Sequence, residues 1–142
     1  MAAFSRNPAT GAASFVEFKQ DGVEGVDGLD GAIGVTISPD GKHLHAASCV
    51  DKALAVFSRN APKGELTFVE THKDGSGLID GPAGAASVIV SPNGNQVYVA
   101  GAIYNTVTMF SRKSATVESP SRRYGETAWE VSTDSTALVP LL

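Results

Sequence analysis

Short apolar runs alternate with clusters of turn residues along most of this chain. Four consecutive runs, rich in β-branched and aliphatic residues, occupy positions 32–38, 44–49, 53–59 and 66–72. Such runs are typical of strands, and the chain shows no sustained 3.6-residue period of the kind that predicts helices. The turn Ser38-Pro39-Asp40-Gly41 joins the first two runs with a proline and a glycine in the places that a tight hairpin favours. We therefore predict an all-β protein of short antiparallel strands.

A repeat of 53 residues organises these runs. The tripeptide Phe-Ser-Arg begins at Phe4, Phe57 and Phe110, so the two spacings are equal. Aligning residues 4–56 with 57–109 without a gap gives 19 identities in 53 positions. Several runs are apolar on both faces, which is typical of strands that are covered on both sides.

Four antiparallel strands in each repeat are the pattern of a β-propeller blade. We predict half a blade in residues 2–20, a full blade in 32–72 and three strands in 85–112. The fold is thus a partial β-propeller of 53-residue, four-stranded blades, covering residues 1–116. Residues 117–142 form a divergent tail that does not follow the repeat. Such an arc is open unless the chain oligomerises.

The blade residues carry a resemblance to a known family. The segments are GLDGAIGVTISPDGKHLHAAS at 28–48, ALAVFSRN at 53–60 and LTFVE at 66–70. They resemble the lactonase-type, 6-phosphogluconolactonase-like β-propeller repeats, over residues 1 to about 113. The resemblance implies the propeller fold and, as one alternative, a lactonase-like activity. The same strand and turn residues recur in propellers that only bind.

Net charge and the distribution of apolar residues argue against some classes of binding partner. The net charge is −4, which argues against a nucleic-acid partner because such binding depends on clustered Lys and Arg. No apolar stretch approaches the roughly 18 residues of a membrane span, and the start has no export signal. We therefore expect a soluble protein, cytoplasmic by default, with no membrane partner and no cofactor. The single cysteine, Cys49, excludes an internal disulfide.

An acidic, glycine-rich loop supplies the weak candidates for a metal site. Asp21, Glu24, Asp27 and Asp30 lie within eleven residues that contain no basic side chain. Hard oxygen ligands on a flexible loop suit calcium, but the spacing does not fit the twelve-residue calcium loop. We favour a solvated turn between blades, so no metal site is predicted.

Three histidines and one cysteine are the other candidates for chemistry. His43 and His45 lie two residues apart on one strand and share a face, which a metal could use with a third ligand. An ordinary structural role is the alternative that we favour. We expect His72 to be exposed and Cys49 to be a small buried thiol within a strand. No catalytic residues are identified, since the chain has no Gly-x-Ser-x-Gly motif.

Charged residues that recur with the blade predict a structural pairing. Arg6, Arg59 and Arg112 follow the three Phe-Ser dipeptides, and Glu17 and Glu70 recur on the fourth strands. An active-site residue need not recur in each blade, whereas a cross-strand pair would. We therefore predict Arg–Glu pairs between the third and fourth strands.

The open ends of the arc lead to the functional prediction. They present apolar strand runs around Phe4, Phe15, Val107 and Met109 that need covering. Symmetric assembly, a partner protein, or the chain being a fragment of a longer gene would each explain them. We predict a non-catalytic repeat module that acts through self-assembly into a homo-oligomer or through binding of a partner protein or a ligand. The alternative is a lactonase-like hydrolase that is active only as an assembled ring.

The tail leaves two interpretations open. Val117 and Ser121 stand where the repeat predicts glycine and phenylalanine, and nothing after residue 117 aligns. A shifted reading frame or a fusion junction would produce such an abrupt loss. A divergent tail that folds back as a final strand, with Tyr124 and Trp129 packed on the open face, is the other interpretation.

Overall fold

The computed structural model describes residues 1–77, 79–113 and 116–118, and all of its regular elements are β-strands. In chain order they are β1 (Ala2–Arg6), β2 (Ala13–Phe18), β3 (Ala32–Ile37), β4 (His43–Ser48), β5 (Ala53–Arg59), β6 (Leu66–Lys73), β7 (Ala85–Val90), β8 (Gln96–Gly101), β9 (Thr106–Lys113) and β10 (Thr116–Glu118). The predicted strands of the full blade are confirmed to within one residue at each end. Among these residues, none forms a helix long and apolar enough to cross a membrane.

The strands form three antiparallel sheets, which are successive blades. The first sheet contains β1 and β2, the middle sheet has the order β3-β4-β5-β6, and the last sheet has the order β10-β9-β8-β7. By the repeat, β1 and β2 correspond to the third and fourth strands of a blade, β5 and β6. The predicted all-β partial propeller, with half a blade followed by a full one, is therefore what the structure shows.

The last sheet contains one strand beyond the three predicted there. β10 pairs with β9, with Thr116 opposite Lys113 and Glu118 opposite Ser111. It takes the place of the fourth blade strand, so the repeat architecture continues past residue 116 although the sequence no longer aligns. Residues 119–142 lie outside the described part, and so do the predicted positions of Tyr124 and Trp129.

Two apolar layers hold the three sheets together. The first layer lies between the first and middle sheets and includes Ala46, Ala55 and Phe57. The second lies between the middle and last sheets and includes Ala47, Leu54, Val56, Val97, Val99 and Phe110. Successive residues of β4 and β5 thus enter opposite layers, as alternation in a strand requires. This explains the unbroken apolar run of residues 53–57 in β5 and the adjacent Ala46 and Ala47 in β4.

The segments that connect the blades are built by short polar residues and glycine. Asp21 accepts a hydrogen bond from the backbone N of Leu29 (2.9 Å), and Asp74 accepts one from the backbone N of Gly81 (2.8 Å). Gly81 has a φ of +128°, and a Cβ there would collide with the Thr108 hydroxyl. These contacts orient each connecting segment so that Val26 or its repeat equivalent, Ile79, enters the apolar layer beside the next blade.

The first strands of neighbouring blades approach more closely than the rest. A Cβ on Gly34 in β3 would lie 3.3 Å from the Ala86 carbonyl oxygen in β7. The other face of β3 leaves Ile33, Val35 and Ile37 exposed. The repeat equivalents of Val35 and Ile37, Val88 and Val90, pack between the middle and last blades. Val35 and Ile37 therefore lie on the face of β3 that points toward the preceding blade, whose first two strands are absent from the described residues.

Candidate functional site

The leading face of the arc, defined here as the outer face of the β1–β2 sheet, exposes an aromatic pair. Phe4 and Phe15 lie opposite each other, with ring centroids 5.8 Å apart and ring planes at 76°. The repeat-equivalent residues Phe57 and Phe68 form the same edge-to-face pair, at 5.6 Å and 68°. A register shift precedes both Phe4 and Phe57, so the two hairpins share their local distortion as well.

Burial distinguishes the two pairs. Phe57 is fully buried between the first and middle sheets, whereas Phe4 and Phe15 are 59% and 61% exposed. The third equivalent, Phe110, is also fully buried. Two of the three copies are therefore covered by a preceding blade. The leading face has the same side chains in place and, within the described residues, no blade over them.

The other end of the arc, the trailing face of the last sheet, is apolar as well. Val107 is 44% exposed, and Met109, two residues on in β9, is partly buried. The predicted exposure of the runs around Phe4, Phe15, Val107 and Met109 is thus confirmed at both ends. Surfaces of this kind are typical of sites that another protein surface covers.

A buried guanidinium joins the middle and last blades. Arg112 Nη1 donates to the Gly94 carbonyl (3.0 Å) in the turn between β7 and β8 of its own blade. Arg112 Nη2 donates to Asp40 Oδ2 (2.8 Å), in the turn between β3 and β4, and lies 2.8 Å from His43 Nδ1. The Ser38 hydroxyl donates to the other carboxylate oxygen of Asp40. The hydrogen bonds from Arg112 and then Ser38 hold the pKa of Asp40 well below its usual range.

The predicted Arg–Glu pairs within blades are wrong. In the first sheet Arg6 lies opposite Ala13, while Glu17 lies opposite Ala3. The middle sheet has the same arrangement, with Arg59 opposite Leu66 and Glu70 opposite Val56. The register therefore places the arginine and the glutamate near opposite ends of each hairpin, too far apart along the strands for a salt bridge.

Glu17 instead links neighbouring blades. Its carboxylate accepts a hydrogen bond from the backbone N of Leu66, at the start of β6 in the next blade, and forms a 3.0 Å ion pair with Lys19. Burial acts to raise the pKa of Glu17, but the Leu66 and Lys19 contacts outweigh it and the pKa is lowered. The repeat equivalent of Glu17, Glu70, lies 3.4 Å from His72 Nε2 on the same strand, so neither glutamate pairs with the arginine of its hairpin.

All three histidines face the layer between the middle and last blades. His43 and His45 share one face of β4, as predicted, and both are buried. His72 was expected to be exposed, and this is wrong: it is 8% exposed and its ring packs 5.4 Å from the Phe110 ring. Burial lowers the pKa of His45 to about 4, and burial with the adjacent Arg112 lowers that of His43. The rings of His43 and His45 are thus uncharged at neutral pH.

Two of the four acidic-loop candidates approach each other in space. Carboxylate oxygens of Asp21 and Asp27 lie within 4.8 Å of each other and of one from Asp51, which comes from the turn between β4 and β5. Glu24 and Asp30 are not part of this group. The sequence of the acidic loop does not point to Asp51, because β3 and β4 separate Asp51 from the loop along the chain.

A lysine already supplies a positive charge to this acidic group. Lys73 Nζ lies 2.7 Å from Asp27 and 3.2 Å from Asp51. Its hydrogen bond to Asp27 raises the pKa of Lys73, with burial acting against this and Asp51 adding to it. The arrangement joins the connecting segment to the next blade by ion pairs.

The position and burial of Cys49 differ from the prediction of a buried thiol within a strand. It follows the last residue of β4 in a turn and is only partly buried, next to Gly31. In the described ranges no hydrogen bond joins a serine hydroxyl or the Cys49 thiol to a histidine ring. The residues that this structure brings together are therefore suited to holding blades against one another.

The comparison with known protein families agrees with this architecture. Residues 35–127 match the family model described as lactonase, 7-bladed beta-propeller, which is more than half of the chain. The chain belongs to this family. The resemblance stated from the blade residues, and the all-β lactonase-type propeller arc, are thus confirmed. Among curated proteins, no sequence match was found.

Solved structures show the same fold. The Pseudomonas aeruginosa periplasmic gluconolactonase matches with a TM-score of 0.69 and 23% identity, over 86% of this chain and 32% of that one. A provisionally named 6-phosphogluconolactonase of Bacteroides fragilis matches with a TM-score of 0.63 and 26% identity, over 80% and 29%. A Lactobacillus plantarum protein matches with a TM-score of 0.62 and 21% identity, over 84% and 34%. This lactonase-type arc spans about a third of the length of these structures.

Proposed function

We propose that this lactonase-type arc functions as a blade module, whose open faces are covered by further blades of the same repeat. The observation that supports this most strongly is the Phe4–Phe15 pair. Its equivalent, Phe57–Phe68, has the same ring geometry and lies under the first sheet. A blade placed over the leading face would bury Phe4 as completely as Phe57 is buried.

The two ends of the arc present apolar surfaces that could pack against each other as neighbouring blades do. The leading face offers aromatic rings, and the trailing face offers Val107 and Met109, which stand where Leu54 and Val56 stand in the preceding blade. Leu54 and Val56 belong to the same buried apolar cluster as Phe110. Self-assembly of several copies into a ring is the simplest arrangement, because the contact between a trailing face and a leading face that it needs already exists within the arc.

Light scattering after size exclusion tests the assembly. We expect the wild-type chain to form one discrete oligomer of at least two copies. The double variant Phe4→Ser, Phe15→Ser removes the aromatic pair and should give a monomer, whereas Val23→Ser, at an exposed loop position, should not. A wild-type chain that stays monomeric at millimolar concentration would contradict self-assembly.

A second candidate is a lactonase-like hydrolase that works only in a completed ring. It is favoured by the family match and by the gluconolactonase activity in the name of the Pseudomonas aeruginosa structure. Within the described residues no serine hydroxyl or Cys49 thiol is hydrogen-bonded to a histidine ring, so reacting groups would come from other blades or from strand ends. Hydrolysis of gluconolactone and of its 6-phosphate should then be seen in the oligomeric fraction and be absent from the double variant.

A further inference from the structure

Each third strand of a complete blade carries an arginine that holds the turn of its own blade. In the middle blade, Arg59 Nη1 donates to the Gly41 carbonyl oxygen (3.2 Å) in the β3–β4 turn. In the last blade, Arg112 Nη1 makes the equivalent bond to Gly94 (3.0 Å) in the β7–β8 turn. Gly41 and Gly94 are 53 residues apart, so this contact belongs to the repeat.

The same turn is held a second time, by the arginine of the following blade. Arg112 uses its other terminal nitrogen, Nη2, to donate to Asp40 (2.8 Å), one residue before Gly41. The Ser38 hydroxyl fixes the Asp40 carboxylate from within the turn. A turn of the Ser-Pro-Asp-Gly type therefore offers two acceptors: a glycine carbonyl for its own blade and a carboxylate for the next one.

Two arginines, Arg6 and Arg59, lack a turn contact that this pattern predicts for them. β1 carries Arg6, but within the described residues its sheet contains only β1 and β2, so the hairpin of first and second strands is not there. Arg6 makes no hydrogen bond to any described residue. Arg59 bonds Gly41 through Nη1, and in the same ranges its Nη2 has no counterpart of Asp40.

We propose that Arg6 and Arg59 form a seat for the turn of a β-hairpin that completes the first blade. The occupant is a two-stranded hairpin whose turn has the Ser-Pro-Asp-Gly pattern. Its second strand pairs with the free edge of β1, its glycine carbonyl accepts from Arg6, and its aspartate accepts from Arg59. This proposal rests on the blade module proposed above and specifies the chemistry of what docks there.

The chain itself indicates why the occupant carries an aspartate. The last blade has Asn93 at the position of Asp40, and the Ser91 hydroxyl lies 2.7 Å from its Oδ1, as Ser38 contacts Asp40. Both turns share one geometry, but only the aspartate brings a negative charge to a guanidinium. Charge-assisted hydrogen bonds are the stronger ones, so an aspartate turn should bind this pair of arginines better than an asparagine turn.

A peptide copy of this chain's own hairpin is the probe. Residues 32–48, closed by a disulfide between added terminal cysteines and labelled with a fluorophore, are titrated with the full chain while anisotropy is recorded. We expect saturable binding to the wild-type chain. The Asp40→Asn peptide should bind about tenfold more weakly, as expected for loss of a charge-assisted hydrogen bond.

Protein variants locate the contact. Arg59→Met should weaken binding of the aspartate peptide by about tenfold and abolish the difference between the two peptides. Arg6→Met should weaken both peptides equally, because Arg6 contacts a carbonyl. Lys63→Met removes one exposed positive charge elsewhere and should leave binding unchanged. Arg59→Lys, which keeps the charge, and a urea midpoint for each variant separate lost binding from lost folding.

The outcomes distinguish the two proposals. If the wild-type chain binds neither peptide, the seat is wrong, and light scattering decides separately whether the blade module is wrong too. If the peptides bind equally well, or if Arg59→Met acts no more strongly than Lys63→Met, the hairpin docks without the arginine seat and only this inference is overturned. Non-additive effects of Arg59→Met and Asp40→Asn, measured as a double-mutant cycle, support it.

Discussion

The aromatic pairs of the first and middle blades are the same local structure in two surroundings. Phe4–Phe15 and Phe57–Phe68 have matching sequence, register and ring geometry, yet one pair is exposed and the other lies in an apolar layer. The arrangement of the rings is therefore a property of each hairpin. Their burial is a property of the neighbour. What a blade contributes to stability depends on which blade precedes it.

The largest expected effect comes from truncating the covered ring. Phe57→Ala should lower the free energy of unfolding by about 4 kcal/mol, because it leaves a cavity in a fully packed layer. Phe4→Ala should cost less than about 1 kcal/mol in the monomeric chain, since the ring is largely exposed. Urea denaturation measures both. Equal losses would show that Phe4 is covered in solution.

The covered interface should also respond to acid, because it contains buried histidines. His45 has a pKa of about 4 in the folded chain, against 6.5 for an ordinary histidine, so the unfolded chain binds more protons between these values. Stability is therefore complete above pH 6.5 and falls as the pH approaches 4, by roughly 3 kcal/mol from His45. Urea midpoints across this window measure the fall. A chain with His45→Gln should show a smaller fall, and an unchanged slope would contradict this assignment.

The arginine that links two blades should matter more than its unlinked equivalent. Arg112→Met removes hydrogen bonds to Asp40 and Gly94 at a buried site and should cost about 2 kcal/mol. Arg59→Met removes one bond at a partly exposed site and should cost less than about 1 kcal/mol. Thermal or urea unfolding of the two variants makes the comparison. A larger loss for Arg59→Met would mean that its second nitrogen is occupied in solution.

The smallest effect is expected at the ion pairs of the connecting segment. Lys73 is partly exposed beside Asp27 and Asp51, so solvent screens these pairs, and Lys73→Met should cost about 0.5 kcal/mol. The difference from wild type should shrink in 1 M salt, where the screening length is about 3 Å. Urea midpoints at low and high salt test this. A salt-independent difference would point to packing of the lysine stem instead.

Most of the fold could be predicted because its information is local and repeated. The 53-residue spacing and the turn at Ser38-Pro39-Asp40-Gly41 mark each hairpin, and the strand bounds followed within a residue. Exposure of Phe4 and Phe15 followed from counting blades. A final strand in the last sheet was only one of two interpretations of the tail, because β10 pairs by position in the sheet while its sequence has left the repeat.

The polar contacts were harder to predict from the sequence, because they depend on strand register and on neighbouring blades. Arg59 and Glu70 recur together, but only the register shows that they lie apart. His72 aligns with Lys19, which suggested a solvent position, yet it lies opposite Leu54 and so faces the layer that contains Phe110. Arg112 and Asp40 are 72 residues apart in the sequence, and no local motif indicates their contact.

Gly34 has a consequence for the size of the ring. Near the centre, the absence of a side chain lets β3 lie against the backbone of β7, while the third strands are separated by the full width of Phe110. Two neighbouring blades are therefore wedges, narrow inside and wide outside, and the angle of the wedge determines how many of them complete a circle. A methyl group at Gly34 would push the inner edges apart by a few tenths of an ångström and reduce that angle. The number of blades in a ring therefore depends on how side-chain volume between blades increases from the centre to the outside.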